Sequence, residues 1–139
     1  MQYAHSILTT ASPETIWKLW TDVKNWKSWD EAVQDSNITG EFKTDAEGMV
    51  TTEKGPKAKF TIASCTPNFS YTMDTKLLFA HLYVRRLIGY HNNKSMITNE
   101  VWIEGPLSSF WWTIIGKKYL AMLPNIMDRF KKIAESITD

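Results

Sequence analysis

The feature that most constrains the fold is a change in hydrophobic period along the chain. Between residues 33 and 105, apolar and polar residues alternate with a period of two, which predicts a series of half-buried β-strands. From residue 107 to 137 the chain reads as one long helix, with an apolar stripe of period 3.6 in its second half. The apolar face of the strands and the apolar stripe of the helix must both be buried. The order of these elements therefore predicts an antiparallel sheet with one helix across its concave face.

The segment before the sheet predicts one strand and two short helices. Residues 3–10 are rich in strand formers. Ser12-Pro13-Glu14 has a hydroxyl at the N-cap, a proline at the first helical position and an acid in the first turn. Asp22 is a second candidate N-cap, for a short helix through Trp26, and we expect the helical pair to end near Trp29.

The alternating region divides into six strands. Residues 34–42 and 48–54 predict two polar strands around a hairpin loop, and Gly55-Pro56 predicts the following turn. The clearest alternation of the chain then runs over residues 69–79, after a strand that includes Phe60.

The last hairpin can be phased from its turn. Asn92-Asn93 is suited to a two-residue turn because Asn tolerates positive φ. Cross-strand partners then have numbers that sum to 185, and the aliphatic face carries the pairs Leu82–Ile103, Val84–Val101, Arg86–Asn99 and Ile88–Ile97. We expect this face to point inward. A slip of one residue would instead bury Arg85 and Glu100.

Residues 107–137 predict the C-terminal helix, with a kink at Pro124. A twisted, curled sheet and a nearly straight helix do not meet along their whole length, so we expect an apolar pocket between them. A chain of 139 residues suits one domain over 1–139, of the α+β class.

Three motifs resemble those of a known superfamily. Residues 11–17 are similar to its "a-P-e-x-V-W" helix start, and residues 22–29 to its "D-x-x-x-W-x-x-W" second helix. Residues 94–101 lie where members carry "G-T-r-v-t", with Lys-Ser in place of Gly-Thr. The chain thereby resembles the START-like, or Bet v 1-like, SRPBCC superfamily, and within it the bacterial polyketide cyclase/dehydrase-like members.

This resemblance implies the helix-grip fold: a seven-stranded curved antiparallel sheet wrapped around a long C-terminal helix, with two short helices between strands 1 and 2. It also implies a cavity for a hydrophobic small molecule. Members include polyketide cyclases, aromatases, lipid-transfer domains, hormone receptors and co-chaperone domains. The superfamily has no universal catalytic residue to carry over.

Arg86 is the leading candidate for a site residue. On the inward face it is a cation among aliphatic residues, opposite Asn99, and a buried charge needs a partner. The partner is either a ligand carboxylate, enol or carbonyl oxygen, or a carboxylate of the protein itself. A third alternative is that the register is wrong and Arg86 faces water. In that case Arg85–Glu100 would be the polar pair of the cavity, with Glu100 as a candidate general base.

Further candidates follow from the same faces. Polar contacts to a ligand oxygen are expected from Tyr71, Thr75, Tyr90 and Asn99. Apolar walls are expected from Phe60, Met73, Phe79, Met127 and Phe130. The alternatives are ordinary local hydrogen bonds for the first set and a dry, filled core for the second.

Trp residues are unusually frequent, with seven in the chain. The four around the short helices, Trp17, Trp20, Trp26 and Trp29, favour core packing over ligand stacking. The run Phe110-Trp111-Trp112 cannot all face inward on one helix, so at least one ring is expected to be partly exposed. A homodimer contact, a membrane-surface contact and a gate to the pocket are alternative roles for this run.

Composition and motifs exclude several classes. A net charge of +1 gives no support to nucleic-acid binding through bulk charge. A single cysteine, Cys65, and three histidines outside metal-ligand spacing predict no metal site. The chain has no nucleotide-binding glycine loop and no GxSxG, so we expect no cofactor. No signal peptide and no apolar run of ~20 residues are present, so we expect a cytoplasmic protein without stable membrane insertion.

Three functions remain open. The first is binding of a hydrophobic, oxygen-bearing small molecule, lipid-like or aromatic and polyketide-like. The second is a cyclase or dehydratase-type enzyme in which Arg86 stabilises an enolate oxygen. The third is a protein-interaction module of the co-chaperone kind, suggested by the aromatic run at residues 110–112.

Overall fold

A computed structural model describes residues 2–52 and 57–137 of the chain. Over this part of the chain the sheet has seven antiparallel strands in the order β1-β7-β6-β5-β4-β3-β2. Their bounds are β1 Gln2–Thr9, β2 Val33–Ile38, β3 Glu47–Thr52, β4 Lys57–Thr66, β5 Ser70–Leu77, β6 Ala80–His91 and β7 Lys94–Glu104. The predicted fold class is therefore confirmed.

Two short helices connect β1 to β2, as the sequence predicts. Helix α1 spans Pro13–Thr21, and the Ser12 hydroxyl accepts a hydrogen bond from the Thr15 backbone N–H at 3.2 Å. A 3₁₀ helix follows at Val23–Ser28. Asp22 precedes it, but its carboxylate accepts from the Asn25 side-chain amide at 2.7 Å rather than capping the backbone.

The register predicted for the last hairpin is confirmed pair by pair, including Arg86 opposite Asn99. Arg86 and Asn99 are 2% and 3% exposed, so the aliphatic face does point inward. Arg85 and Glu100 lie on the opposite face, where Arg85 Nε is 2.6 Å from Glu100 Oε1. The alternative register, with this pair inside, is excluded.

The second strand is shorter than predicted. The sequence predicts a strand over residues 34–42, but β2 ends at Ile38. Gly40 has φ +74°, a left-handed conformation that turns the chain away from the sheet. Phe42 then returns to the interior and packs edge-on against Tyr71, with ring centroids 4.9 Å apart. The predicted end of the next strand and the Gly55-Pro56 turn lie outside the described residues.

The C-terminal helix is interrupted at a different place from the one predicted. Helix α2 spans Ser108–Trp111, one turn of π-helix spans Trp112–Gly116, and α3 spans Lys117–Ser136 straight through Pro124. The irregularity falls where Gly116 lets the Trp112 ring lie against the helix. A Cβ on Gly116 would be 2.9 Å from that ring.

Helix α3 packs its apolar stripe against the inner face of the sheet and the two short helices. Leu123, Ile126, Met127, Phe130 and Ala134 are all buried. The end of α3 is fastened to β1, because Glu135 Oε2 accepts from the Thr9 hydroxyl at 2.7 Å and from the Thr10 backbone N–H at 3.1 Å. The space between α3 and the inner face of the sheet is therefore where a binding site is to be sought.

Candidate functional site

A cavity does lie between the sheet and α3, but it is far smaller than expected. Its volume is about 10 Å³, which is room for roughly one water molecule. Pockets that hold small molecules measure roughly 300–1,000 Å³. The expected apolar pocket is therefore present in position but too small to hold a small molecule. The residues that line the cavity are Ile7, Trp20, Trp29, Arg86, Ile97, Asn99, Ile126, Met127 and Phe130.

Aromatic rings from the short helices and the residue that follows them occupy most of the space in which the sequence predicts a pocket. Trp20 stacks on Phe130 with centroids 6.0 Å apart, and Trp29 meets the same ring edge-on at 5.0 Å. Trp26 is held separately, by a hydrogen bond from its indole N–H to the Trp20 carbonyl at 2.8 Å. The expectation of core packing is confirmed for Trp20, Trp26 and Trp29, whereas Trp17 is half-buried and packs against the edge of the core. Trp20 and Trp29 also border the cavity.

Arg86 is the charged residue at this cavity. Its Nη1 donates a hydrogen bond to the Tyr71 hydroxyl on the neighbouring strand β5. Its Nη2 is 4.0 Å from Asp30 Oδ2, near enough for charge pairing and too far for a hydrogen bond. The guanidinium carbon also lies 5.2 Å from the centre of the Trp29 ring, a cation–π distance. The internal ion pair considered from the sequence therefore exists, in a loose form.

One donor of Arg86 is left without a partner. Among the described residues, no acceptor lies within hydrogen-bond distance of the buried Arg86 Nε. Asn99 stands directly across the sheet from Arg86, and no hydrogen bond joins its side chain to any residue of the described ranges. Both residues border the same small cavity. Both side chains therefore have hydrogen-bonding capacity at the cavity that no described residue uses.

Asp30 reaches the site from the loop after the 3₁₀ helix. Its Oδ1 accepts from the Ala32 backbone N–H at 2.9 Å, which holds the carboxylate in place. Burial raises the pKa of Asp30, and the Arg86 charge and the Ala32 hydrogen bond oppose that rise without cancelling it. The carboxylate is thus costly to keep ionised, and its ionisation depends on Arg86.

Tyr119, on α3, also interacts electrostatically with Arg86, Asp30 and Tyr71. Burial raises the pKa of Tyr119 to about 12, although the Arg86 charge works in the other direction. For Arg86, burial lowers the pKa, but Tyr71, Tyr119 and Asp30 together raise it above its ordinary value. The cation at the centre of the site therefore stays charged.

The predicted site residues fall into three groups. Arg86, Asn99, Met127 and Phe130 border the cavity. Tyr71, Thr75, Phe60 and Met73 are buried but lie outside its lining. In the second group, Tyr71 contacts Arg86 and so supports a residue of the cavity, whereas Phe60 packs at 5.5 Å against Trp26, which lies outside the lining.

Two predicted residues do not face the interior, and these expectations are corrected. Phe79 is 67% exposed, because β5 ends at Leu77 and Phe79 lies in the turn to β6. Tyr90 is 72% exposed. Tyr90 lies on the same face of β6 as Arg86, but it is the next-to-last residue of the strand, and the last two residues of β6 are exposed.

Sequence reasoning missed several residues of the site. Asp30 and Tyr119 were not singled out, because each reaches Arg86 from a different element and no periodicity links them. For Trp29 the sequence predicts core packing, which is confirmed, but not that its ring also borders the cavity and lies 5.2 Å from the Arg86 guanidinium carbon. The remaining cavity residues are aliphatic: Ile7, Ile97 and Ile126.

The described residues offer neither a metal site nor a membrane-spanning helix. They contain no group of three or more His, Cys, Asp or Glu side chains arranged to hold a metal ion. Within the same ranges, no helix is both long and apolar enough to cross a membrane.

Comparisons with known proteins add evidence on the fold. No protein-family model matches the sequence, and no curated protein matches it. Among solved structures, a protein from Mesorhizobium loti matches with a TM-score of 0.74 at 10% identity, covering 100% of both chains. Norcoclaurine synthase from Thalictrum flavum, in complex with dopamine and hydroxybenzaldehyde, matches with a TM-score of 0.74 at 12% identity, covering 100% of this chain and 88% of that one.

The Aha1 dimer from Colwellia psychrerythraea matches with a TM-score of 0.67 at 16% identity, covering 94% of this chain and 96% of that one. Identities this low carry the architecture and no further property. The structural neighbours are Bet v 1-like, or SRPBCC, proteins, and they match over nearly the whole chain. The protein therefore has the helix-grip fold of the Bet v 1-like proteins.

Proposed function

We propose that the protein binds a hydrophobic small molecule that carries an oxygen acceptor, between the sheet and α3. The apolar part of the ligand contacts Met127 and Phe130, and its oxygen accepts from Arg86 Nε and the Asn99 amide. The observation that carries this proposal is that one unpaired donor, Arg86 Nε, and the Asn99 side chain lie at the same, otherwise apolar cavity.

The energetics favour an occupant for these groups. A buried donor without an acceptor costs about 1–3 kcal/mol, and more when it belongs to a charged group. A water molecule fits the present cavity and would recover part of that cost. A ligand oxygen in the same place would recover it and also bury apolar surface, which a water molecule cannot do.

Binding requires the interior to open, because a cavity of about 10 Å³ does not admit such a ligand. The C-terminal helical segment covers the inner face of the sheet, and its regular α-helical hydrogen bonding is interrupted at the π-helical turn Trp112–Gly116, just before α3. Such turns occur frequently at functional sites. We therefore place the opening here, with Trp112 moving off Gly116 and Met127 adapting its flexible side chain.

The fold neighbours support the choice of ligand class. The Thalictrum flavum enzyme carries dopamine and hydroxybenzaldehyde, two small oxygen-bearing aromatic molecules, on the same fold. Binding ranks ahead of catalysis, because Arg86 and Asn99 are the polar residues among the described lining and neither is a general base at neutral pH. A cyclase or dehydratase role would need Asp30 to reach the cavity from behind Arg86.

The test is a fluorescence titration with anilinonaphthalene sulfonate, whose rings and sulfonate match the proposed chemistry, together with native mass spectrometry. We expect saturable binding of one probe per chain. Arg86→Lys keeps the positive charge but removes Nε, and we expect it to weaken binding about tenfold. Asn99→Leu should weaken binding similarly.

The matched control is Arg85→Lys, on the opposite face of the same strand, which should leave probe affinity unchanged. Circular dichroism checks that each variant is folded. Absence of saturable binding by the wild-type protein would contradict the proposal. Equal affinity of Arg86→Lys, Arg85→Lys and the wild type would remove the role of Arg86.

A further inference from the structure

A group of exposed apolar side chains lies at one end of the molecule, away from the cavity. It is formed by Leu78 and Phe79 in the β5–β6 turn and by Phe110 and Ile114 in the helical segment after β7. Their exposed fractions are 64%, 67%, 51% and 49%. We call these four residues the end patch. Contiguous exposed apolar surface of this kind marks an interaction site more often than scattered single residues do.

The turn and the helix are held together as one surface. Trp111 donates its indole N–H to the Leu78 carbonyl at 2.8 Å, and the Leu107 backbone N–H donates to the Phe79 carbonyl at 3.1 Å. The Trp111 ring also packs edge-on against Phe110, with centroids 5.4 Å apart. The backbone and the half-buried Trp111 are thus satisfied, and the four apolar side chains remain directed outward.

The Leu78-Phe79 turn has a backbone conformation that its residue types disfavour. Phe79 has φ +54°, in the left-handed region that is sterically unfavourable for a bulky residue. Every other non-glycine residue with positive φ in the described ranges is Asp or Asn: Asp45, Asn68, Asn92 and Asn93. Each of those follows the usual turn chemistry, whereas the Leu78-Phe79 turn does not. Departures of this kind concentrate at functional positions, so the exposed Phe79 ring itself needs an explanation.

The charges next to the end patch select the partner. Lys76 precedes the turn, Lys117 and Lys118 follow the helical segment, and all three are exposed. The acids on the neighbouring strands already have partners. Asp74 is 2.8 Å from His81 Nδ1, Glu47 pairs with Lys59 at 2.5 Å, and Glu104 accepts from the Trp102 indole at 3.0 Å. The sequence has no further acid between Glu104 and Asp128. Apolar side chains bordered by lysines match the interface of an anionic bilayer, where rings enter the headgroup region and ammonium groups meet phosphates.

A second copy of the chain fits this surface less well. A two-fold dimer places the same patch on both sides of the interface, so it would bring like-charged lysines together. We propose that the end patch is a docking surface for an anionic lipid bilayer. Leu78, Phe79, Phe110 and Ile114 enter the interface, and Lys76, Lys117 and Lys118 contact the headgroups. The inference is independent of the proposed ligand and does not require the cavity to open.

The test is co-sedimentation with vesicles of phosphatidylcholine alone and with vesicles of equimolar phosphatidylcholine and phosphatidylglycerol. We expect the wild-type protein to pellet with the anionic vesicles, and less as salt is raised. Phe79→Asn suits the positive φ, so it should not lower the melting temperature, yet combined with Phe110→Ser it should reduce binding about tenfold. Lys117→Gln with Lys118→Gln should remove the preference for anionic vesicles.

The matched control is Phe69→Ser with Tyr90→Ser, which removes two exposed aromatic residues at the opposite end of the β5–β6 hairpin and should leave vesicle binding unchanged. Failure of the wild-type protein to pellet with either vesicle would overturn the proposal. An equal loss in the control variant would also overturn it. Sedimentation velocity showing a wild-type dimer that Phe79→Asn dissociates would assign the patch to a second copy instead.

Discussion

The guanidinium of Arg86 and the carboxylate of Asp30 lie 4.0 Å apart inside the protein, with no hydrogen bond between them. Arg86 comes from the middle of the sheet and Asp30 from the loop after the short helices, so this contact joins two parts of the fold. The Tyr71 hydroxyl completes the arrangement by accepting from Arg86 Nη1. Each charge of the pair depends on the other, because either one alone would be buried without a compensating charge.

Removing one partner of this pair should be costly. Arg86→Met leaves the Asp30 carboxylate and the Tyr71 hydroxyl buried without their cation, and we expect a loss of about 3–5 kcal/mol in the free energy of unfolding. Combining it with Asp30→Asn should restore part of the loss, with a coupling energy of about 0.5–3 kcal/mol. Urea unfolding of the four proteins measures the cycle. Arg85→Met, on the exposed face, should cost at most about 1 kcal/mol, and an equal cost for both arginines would contradict this account.

The raised pKa of Asp30 predicts a pH dependence with a definite sign. The folded state binds the Asp30 proton more tightly than the unfolded state, so the contribution of Asp30 to stability falls as pH rises from about 3.9 through its folded-state value. Asp30→Asn removes this term and can still accept from the Ala32 N–H. The stability of Asp30→Asn relative to wild type should therefore increase between about pH 4 and pH 7. Urea unfolding across that range measures it, and a constant or decreasing difference would refute the prediction.

Enlarging the cavity should improve ligand binding while it weakens the fold. Met127 lines the cavity from α3, and Met127→Ala should lower the free energy of unfolding by about 2–5 kcal/mol. The added space lies beside Arg86 and Asn99, so we expect higher affinity for anilinonaphthalene sulfonate at the same time. Met96→Ala, on the outer face of β7, is the control and should leave probe affinity unchanged. Unchanged probe affinity in Met127→Ala would place the probe somewhere else, and lower affinity would contradict the predicted gain.

The π-helical turn offers a test of how the helix is closed. In an ordinary helix Gly→Ala stabilises by up to about 1 kcal/mol. At Gly116 the new methyl group would lie 2.9 Å from the Trp112 ring, so we expect Gly116→Ala to destabilise the protein and to accelerate probe binding by displacing that ring. Gly89→Ala is the comparison, because its Cβ would meet only the Met96 methyl at 3.9 Å. Thermal melting and stopped-flow fluorescence compare the two variants, and a stabilised Gly116→Ala would contradict the predicted clash with the Trp112 ring.

The fold could be read from the sequence because its signals are local. The Asn92-Asn93 turn sets the register of the last hairpin, and the aliphatic character of one face then places Arg86 inside and Arg85 outside. The same reasoning failed at Phe79, because the alternation over residues 69–79 runs past the point where β5 ends and the chain turns. The Leu78-Phe79 turn contains no Gly, Pro or Asn. Without such residues, a period-two pattern does not indicate where the strand ends.

The size of the cavity could not be predicted from the sequence. It depends on how Trp20, Trp29 and Phe130 fit together, and these rings come from three separate segments. Asp30 was missed for a related reason, since its approach to Arg86 depends on the path of a loop rather than on any spacing. Packing and cross-element contacts of this kind are properties of the assembled interior.

The most direct test of the account is a nitrogen–proton correlation spectrum of the wild-type protein titrated with anilinonaphthalene sulfonate, observing the Arg86 Nε–H and the Asn99 side-chain amide. If the interior opens and a ligand oxygen pairs with these groups, both signals shift and saturate together, and the Arg85 Nε–H signal on the outer face does not. Shifts confined to exposed residues, with the Arg86 and Asn99 signals unchanged at saturation, would contradict the account.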